Sequence, residues 1–429
     1  MTILSRVLVA LGLYCLVLTA PAAEAAEESA KKKWTILVFL NADSNLEHFG
    51  FKDMQEMERA GSSDEVNLVV QFDQLEKRGT QRYLIEKASR SHKTSQEIQS
   101  RIVEDRPEVD MGDWRELRDF LIWGIKNYPA ENYALILWNH GSGWSKEEEQ
   151  EALKGISYDD TSGNHIKTEQ LPQVFTEVQL ETDQRMAIIA FDACVMAMVE
   201  VAHVLAPHAD YMVASEEDVP GPGYPYDGWL KAWFSDGLLS SESFIESLVN
   251  EFGKSYSGGS QGSRSVTISA FDLKETDRLA QKVNAWVDSL HERSGLASEQ
   301  ILSAASQSLG FGYSGWRSQE IRDLGHYVEL NYNEYMKQQM DSSLRALNFK
   351  SASIALLDQI DRFVVKKFNS ASYAKARGVS IHLPYDESGK SSWSSNFSWD
   401  LATKARYRAL TWSTATKWHE HLDFLFPGL

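Results

Sequence analysis

At 429 residues, with 43% hydrophobic and 24% charged residues, the chain has material for a large core, and global disorder is excluded. Its formal net charge of −18 argues against nucleic acid as a partner, because phosphates demand a basic surface. The same acidity suits a solvated extracellular or periplasmic protein, or one with a basic partner.

The N-terminus reads as a targeting signal. Arg6 supplies a positive flank, Val7 to Leu18 an apolar run, and Ala23-Glu24-Ala25 a small-residue cleavage site. The run is too short for a comfortable membrane span, and no later stretch qualifies as one. Residues 1–25 are therefore expected to be a signal peptide of a secreted or periplasmic protein, followed by a flexible segment over 26–33. Of the two cysteines, Cys15 falls inside that signal, which leaves Cys194 as the only thiol of the mature chain. A lone cysteine in an exported protein reads as a reactive thiol, an intermolecular bridge or a buried small hydrophobe, and composition does not choose among them.

Trp34 to Leu40 reads as a buried first strand, ending in the turn cluster Asn41-Ala42-Asp43-Ser44-Asn45. A helix over Leu46 to Ala60 follows, stopped by Gly61. Val66 to Phe72 is a second buried strand, and Arg82 to Glu86 a more polar one suited to an edge. The spacing of Leu117, Phe120, Leu121 and Ile125 predicts a helix from Trp114 to about Tyr128. Tyr133 to Trp138 is a third buried strand running into Asn139-His140-Gly141-Ser142-Gly143-Trp144. After an acidic loop, Thr161 to Asn164 looks like a hairpin turn, and a helix spans about Thr168 to Gln179.

Met186 to Phe191 has the length and content of a fully buried strand, followed at once by Asp192-Ala193-Cys194. Val195, Met198, Val199 and Ala202 then fall at helical spacing, which places Cys194 in a helix's first turn, where unpaired N–H groups and the dipole favour a thiolate. Tyr211 to Ala214 is a further strand, opening into the Gly/Pro-rich loop Ser215 to Tyr224, a natural cleft wall. A helix from Glu242 to Tyr256 and a strand from Val266 to Phe271 close the unit. Buried strands alternating with helices predict an α/β sandwich with a mostly parallel central sheet over 34–272. From Leu273 the pattern becomes helical over 273–291, 298–308, 321–340 and 352–368, with one strand at 378–384 and an aromatic helical tail. This predicts a second, α-rich domain over 273–429.

In such sheets ligands sit beyond the carboxyl ends of the strands, where both His140 and Cys194 fall. Cysteine catalysis needs a thiolate, an imidazole for the proton and N–H donors for the oxyanion. Cys194 and His140 supply the first two, and the N–H groups of Gly141 and Cys194 the third.

An apolar block followed by His-Gly, and some fifty residues later an apolar block followed by x-Ala-Cys, resembles the caspase-like cysteine peptidases. Within that clan the chain is similar to the clostripain family. The matching pieces are N-A-D-S-N-L-E, M-G-D, Y-A-L-I-L-W-N-H-G-S-G-W, G-I-S-Y-D-D-T-S-G, F-D-A-C-V-M-A-M-V-E-V-A, A-S-E-E-x-x-P-G-x-G-Y-P-Y and G-V-S-I-H-L-P. The resemblance implies a caspase-like α/β/α fold, with Cys194 as nucleophile and His140 as general acid/base. It implies cleavage after Arg or Lys by acidic side chains in the S1 pocket, one of which matches Asp192. The other belongs in a P-G-D-G segment, where this chain has Pro222 between Gly221 and Gly223. Glu216, Glu217 and Asp218 are the nearby carboxylates able to compensate. Self-cleavage in the loop over 145–154 is also implied; of its two basic residues, Lys146 and Lys154, Lys154 is the expected site because it directly precedes the G-I-S-Y-D-D strand. Protein or peptide substrates with basic residues are the expected partners of a monomer. No cofactor is required by the resemblance, and Ca²⁺, which some relatives use, is allowed: Asp159 and Asp160 offer carboxylates but no EF-hand spacing. A second reading is a catalytically weak or inactive surface-binding protein that keeps the fold, and a third a dimer bridged through Cys194. Trp418-His419-Glu420-His421 is set aside as a metal motif because its histidines are two apart rather than four.

Overall fold

The computed structural model describes residues 31–75, 79–144, 155–293, 296–312, 320–337, 344–384 and 401–426. The signal segment 1–25 and the loop 145–154, with Lys146 and Lys154, lie outside the described residues. The first strand starts at Lys32, so Lys32 and Lys33 of the expected flexible segment are already part of the sheet.

In chain order, β1 is Lys32–Ala42, α1 Glu47–Ala60, β2 Val66–Gln74, β3 Gln81–Leu84, β4 Ile102–Asp105, α2 Trp114–Asn127 and β5 Ala130–Trp138. The hairpin β6 (Ile156–Asp159) and β7 (Asn164–Ile166) leads to α3 (Leu171–Thr182) and the central strand β8 (Met186–Asp192). Then come α4 (Val199–Leu205), β9 (Ala209–Ala214), α5 (Tyr226–Asp236), α6 (Ser241–Tyr256), the small hairpin β10 (Ser257–Gly259) and β11 (Gly262–Ser263), and β12 (Thr267–Asp272). The remainder holds α7 (Thr276–Arg293), α8 (Ser298–Gln307), β13 (Ile321–Asp323), α9 (Leu324–Lys337), α10 (Leu344–Phe363), β14 (Val364–Asn369) and β15 (Ser380–His382). It ends with α11 (Leu401–Ala409), α12 (Thr411–Ala415) and α13 (Trp418–Leu425).

Nine strands form one sheet in the order β14-β12-β9-β8-β5-β1-β2-β3-β4. The five in the middle, β9, β8, β5, β1 and β2, are parallel. Those outside them pair antiparallel. Their alternation feeds two cores. Leu37 and Phe39 of β1 face one cluster with α2, α3 and α4. Ile36, Val38 and Leu40 face the other, with Phe51 and Met54 of α1, Trp229 and Trp233 of α5, and Phe244 of α6. The caspase-like α/β/α sandwich expected from the sequence is therefore the observed fold. Each central strand is apolar on both faces because both are covered.

The expected separate domain over 273–429 is instead the continuation of one compact unit from Lys32 to Leu429. Trp286, Tyr327, Phe349 and Trp412 share one buried cluster with Leu37 and Phe39 of β1. The sequence expectation of a helix through Phe368 also gives way, since α10 ends at Phe363 and Val364–Asn369 pairs antiparallel with β12 as the edge of the main sheet. Likewise Ile321–Asp323 is a short strand against β15 before α9 begins. Pairing with a strand that is distant in sequence overrides local helical spacing in both places.

Candidate active site

Strand register brings the two candidate catalytic residues to one place. Trp138 of β5 lies opposite Asp192 of β8, so His140 and Cys194 each stand two residues beyond the same rung at the carboxyl edge. Glycine at 141 allows the two loops to meet, since a Cβ there would lie 2.6 Å from the carbonyl oxygen of Cys194 and 3.0 Å from the Cβ of Ala193. Both side chains line one cleft, walled by Leu46, Asp218, Val219 and the turn residues Pro220, Gly221 and Gly223. The Sγ of Cys194 sits 3.8 Å from the carbonyl oxygen of Val219.

The loop that carries His140 is fixed by amide side chains. Asn139 donates to the carbonyl of Asn41 (2.7 Å) and accepts from the N–H of Tyr158 (2.7 Å). Asn41 in turn donates to the Ser157 hydroxyl and the Tyr158 carbonyl, both at 3.1 Å. Gly141 pairs with Ile156 of β6, where the Ser142 N–H donates to the Gly155 carbonyl at 3.0 Å. The ring of His140 meets Tyr158 edge-on at 6.4 Å, and its Nε2 lies 2.8 Å from Oδ1 of Asn45. An amide oxygen only accepts, so Nε2 carries the proton and Nδ1 is the ring's basic nitrogen. Asn45 therefore orients the imidazole, a role that its place in a turn cluster after β1 did not reveal.

Cys194 is not in the first turn of a helix. The helix α4 begins only at Val199. Between them Val195 adopts φ 50°, a left-handed conformation costly for a β-branched residue. Ala197 donates to the Ser215 carbonyl at 2.9 Å, and Met198 bridges to Ser380 of β15. The apolar residues 196–198 that follow this turn are outside any helix and buried between the loop after β9 and β15, and the dipole argument for the thiolate falls away. The sharp turn itself holds Cys194 at the cleft.

Asp192 lines the same cleft and is only 4% exposed. Its Oδ2 accepts from the Tyr224 N–H (2.9 Å) and the Tyr226 hydroxyl (3.0 Å). Burial outweighs these bonds and pushes its carboxyl up to about 7. Beneath it stands Asp53 of α1, fully buried and bonded to Nε1 of Trp138 at 2.8 Å. Burial, then the charge of Asp192, hold Asp53 well above the usual carboxylate range. Sequence reading missed Asp53, although an acid inside the apolar face Phe51-Met54-Met57 was a visible signal.

The other candidates separate. The turn closes with the Gly223 N–H on the Pro220 carbonyl at 2.8 Å, with Gly223 at φ 61° against the Asp192 carboxylate. Pro220, Gly221 and Gly223 line the cleft and Pro222 does not. Glu216 is not a substrate-binding residue of this cleft, because its side chain is fully buried against Asp323. Glu217 accepts from the Tyr373 hydroxyl (2.6 Å) and the Gly312 N–H (3.1 Å). Of the three proposed compensating acids, only Asp218 reaches the cleft. Far from it, buried His421 uses both ring nitrogens on His291 and Tyr327, at 2.8 Å each. No described helix is long and apolar enough to cross a membrane.

A sequence profile of the clostripain family, peptidase family C11, matches residues 38–424. The chain is 30% identical over 221 residues to clostripain of Hathewaya histolytica, covering 47% of this chain and 42% of that protein, so it spans under half the length of this curated relative. Its fold is similar to a secreted C11 cysteine protease from Bacteroides thetaiotaomicron solved with an irreversible peptide inhibitor (TM-score 0.62, 20% identity, 90% of this chain and 99% of that one). It is equally similar to an inactive zymogen C11 protease from Parabacteroides distasonis (TM-score 0.62, 18% identity, 90% and 98%).

Proposed function

Since the chain belongs to the clostripain family, we propose that it is an exported cysteine endopeptidase that works through Cys194 and His140. The observation that carries this reading is the meeting of both residues in one cleft, with Nδ1 of His140 left as the basic nitrogen by Asn45. Nδ1 takes the thiol proton, and the thiolate attacks the scissile carbonyl carbon. The N–H groups of Gly141 and Cys194 are the donors assigned to the oxyanion. Collapse expels the amine, which receives the proton from His140 and leaves a thioester on Sγ. Water, deprotonated by the same imidazole, hydrolyses the thioester and restores the thiol.

The preference at P1 is for Arg or Lys, read by Asp192. The buried carboxylate of Asp192 lines the pocket and that of Asp53 lies behind it, close enough to feel its charge, so the charge lost at Pro222 has a replacement from α1. A cationic side chain entering there favours ionisation of the pair, which a neutral P1 residue does not. Self-cleavage at Lys154, with Lys146 as the second basic residue of the loop, is the maturation step of this reading, and the zymogen relative is consistent with it. The test is hydrolysis of a peptide library by the purified mature protein and its Cys194→Ala variant. Cleavage after Arg and Lys, abolished in the variant, supports the reading, and full activity in the variant ends it. Two chains that still form in Cys194→Ala would end self-cleavage.

A further inference from the structure

The loop after β5 and the turn after β8 meet through two methionines that the mechanism above does not use. The sulfur of Met196 accepts the Gly143 N–H at 3.3 Å, and that of Met198 accepts the Trp144 N–H at 3.2 Å. Both methionines and Trp144 are buried. An unpaired N–H in such a place is costly, and a thioether, apolar in bulk but able to accept, satisfies it without bringing charge into the core. Glycines make room for the pair. A Cβ at 141 would lie 3.1 Å from Cγ of Met196, and one at 143, where φ is 58°, would collide with the sulfur of Met198. The turn that carries the methionines is held from its other side. The Val195 N–H donates to the Glu217 carbonyl (3.3 Å) and the Ala197 N–H to the Ser215 carbonyl (2.9 Å). The Ala197 carbonyl accepts from both the N–H (2.9 Å) and the hydroxyl (3.0 Å) of Ser380.

We infer that Met196 and Met198 are positioning residues of the oxyanion hole, whose sulfurs set the separation of the Gly141 and Cys194 N–H groups. The inference rests on the peptidase reading and its assignment of those two donors. Trp138 and Asp192 form the last paired rung of β5 and β8. The bond from Gly143 to Met196 ties the same two stretches of chain again beyond the sheet. Gly141 and Cys194 lie between the two ties, each two residues from the sulfur contact, so the span between their N–H groups is fixed at both ends. The opposite side of the loop is gripped by the Ser142 N–H on the Gly155 carbonyl, but that bond ties the loop to β6 and not to the turn of Cys194. Donors in an oxyanion hole act because they are in place before the charge develops, so a small drift costs rate rather than affinity. The imidazole has its own anchor in Asn45, and losing the sulfurs leaves that anchor intact.

The test compares wild type with Met196→Leu and Met198→Leu, which conserve volume and remove the acceptor, on chains in the same processing state by intact mass. Two rates are measured on each. Hydrolysis of an Arg-P1 peptide needs the oxyanion donors, and kcat should fall by about tenfold or more in Met196→Leu with KM unchanged. Alkylation of Cys194 by iodoacetamide forms no oxyanion and reports the thiolate alone, so its rate should stay within about twofold of wild type. Met198→Leu should show the same split to a smaller degree. Met186→Leu, at the amino end of β8, is the control and should change neither rate. An equal fall of both rates overturns the inference, because the sulfurs would then act on His140 or on the fold as a whole. A loss in Met186→Leu as large as in Met196→Leu overturns it too, as a general packing effect. A wild type that hydrolyses no peptide ends the peptidase reading and this inference with it, whereas an active wild type matched in kcat by both variants ends this inference alone.

Discussion

Oδ1 of Asn45 lies 2.8 Å from Nε2 of His140, on the side of the ring away from its basic nitrogen. The contact makes Asn45 a positioning residue. It fixes the tautomer and the angle of an imidazole that must reach the thiol of Cys194 across the cleft. Asn45→Ala should lower kcat on an Arg-P1 peptide by about tenfold to a hundredfold, the usual cost of a misplaced catalytic group, with KM little changed. Asn45→Asp, which keeps the acceptor, should recover part of the rate. A rise in KM at constant kcat in Asn45→Ala would assign it to substrate binding instead.

The buried Asp192 carboxyl is pushed up to about 7, so below that pH it is mostly neutral and offers no anion to a basic P1 side chain. The ratio of kcat/KM for an Arg-P1 peptide to that for a norleucine-P1 peptide should therefore rise as pH increases through about 7. Taking the ratio removes the titration of the dyad, which both substrates share. Asp192→Asn should flatten it, and a flat ratio in the wild type would remove Asp192 from P1 recognition.

Glu216 faces Asp323 in the interior. Asp323 accepts from the N–H groups of His326 and Arg377 (2.5 and 2.6 Å), while burial and then the charge of Asp323 hold Glu216 well above the usual carboxylate range. A carboxyl with a raised folded-state pKa binds its proton more tightly when folded. Its stabilisation is full below the unfolded value of about 4.3 and declines as pH rises toward the folded value. Glu216→Gln keeps a donor for Asp323 without a proton to lose. Its unfolding temperature should exceed that of the wild type by a margin that widens between pH 5 and pH 8. A constant margin would show that the Glu216 carboxyl is already ionised in the folded protein at pH 5 and that its pKa is not raised.

The central strands were legible because burial on both faces demands continuous apolar runs such as Ile36–Leu40 and Ala187–Phe191, and their carboxyl edge located His140 and Cys194. The segment after Cys194 was misread because Val195, Met198 and Val199 satisfy helical spacing, whereas a short buried extended segment satisfies the same composition. What decides between them is the partner Ser380, nearly two hundred residues away. Asn45 and Asp53 were equally hidden. Each is an ordinary polar residue of a turn or helix until the sheet order sets β1 beside both β5 and β2. The fate of Glu216 depended on a strand, β13, that local spacing assigned to a helix.

The central claim is that His140 activates Cys194 for attack on a basic peptide. It is tested most directly by intact-mass measurement of labelling with an Arg-P1 acyloxymethyl ketone, comparing wild type, His140→Ala and Cys194→Ala at neutral pH. The account predicts one adduct per wild-type chain, located at Cys194 and suppressed by a competing Arg peptide. It predicts labelling slower by about a hundredfold or more in His140→Ala, and none in Cys194→Ala. An equal labelling rate in wild type and His140→Ala, or an adduct that persists in Cys194→Ala, would contradict it.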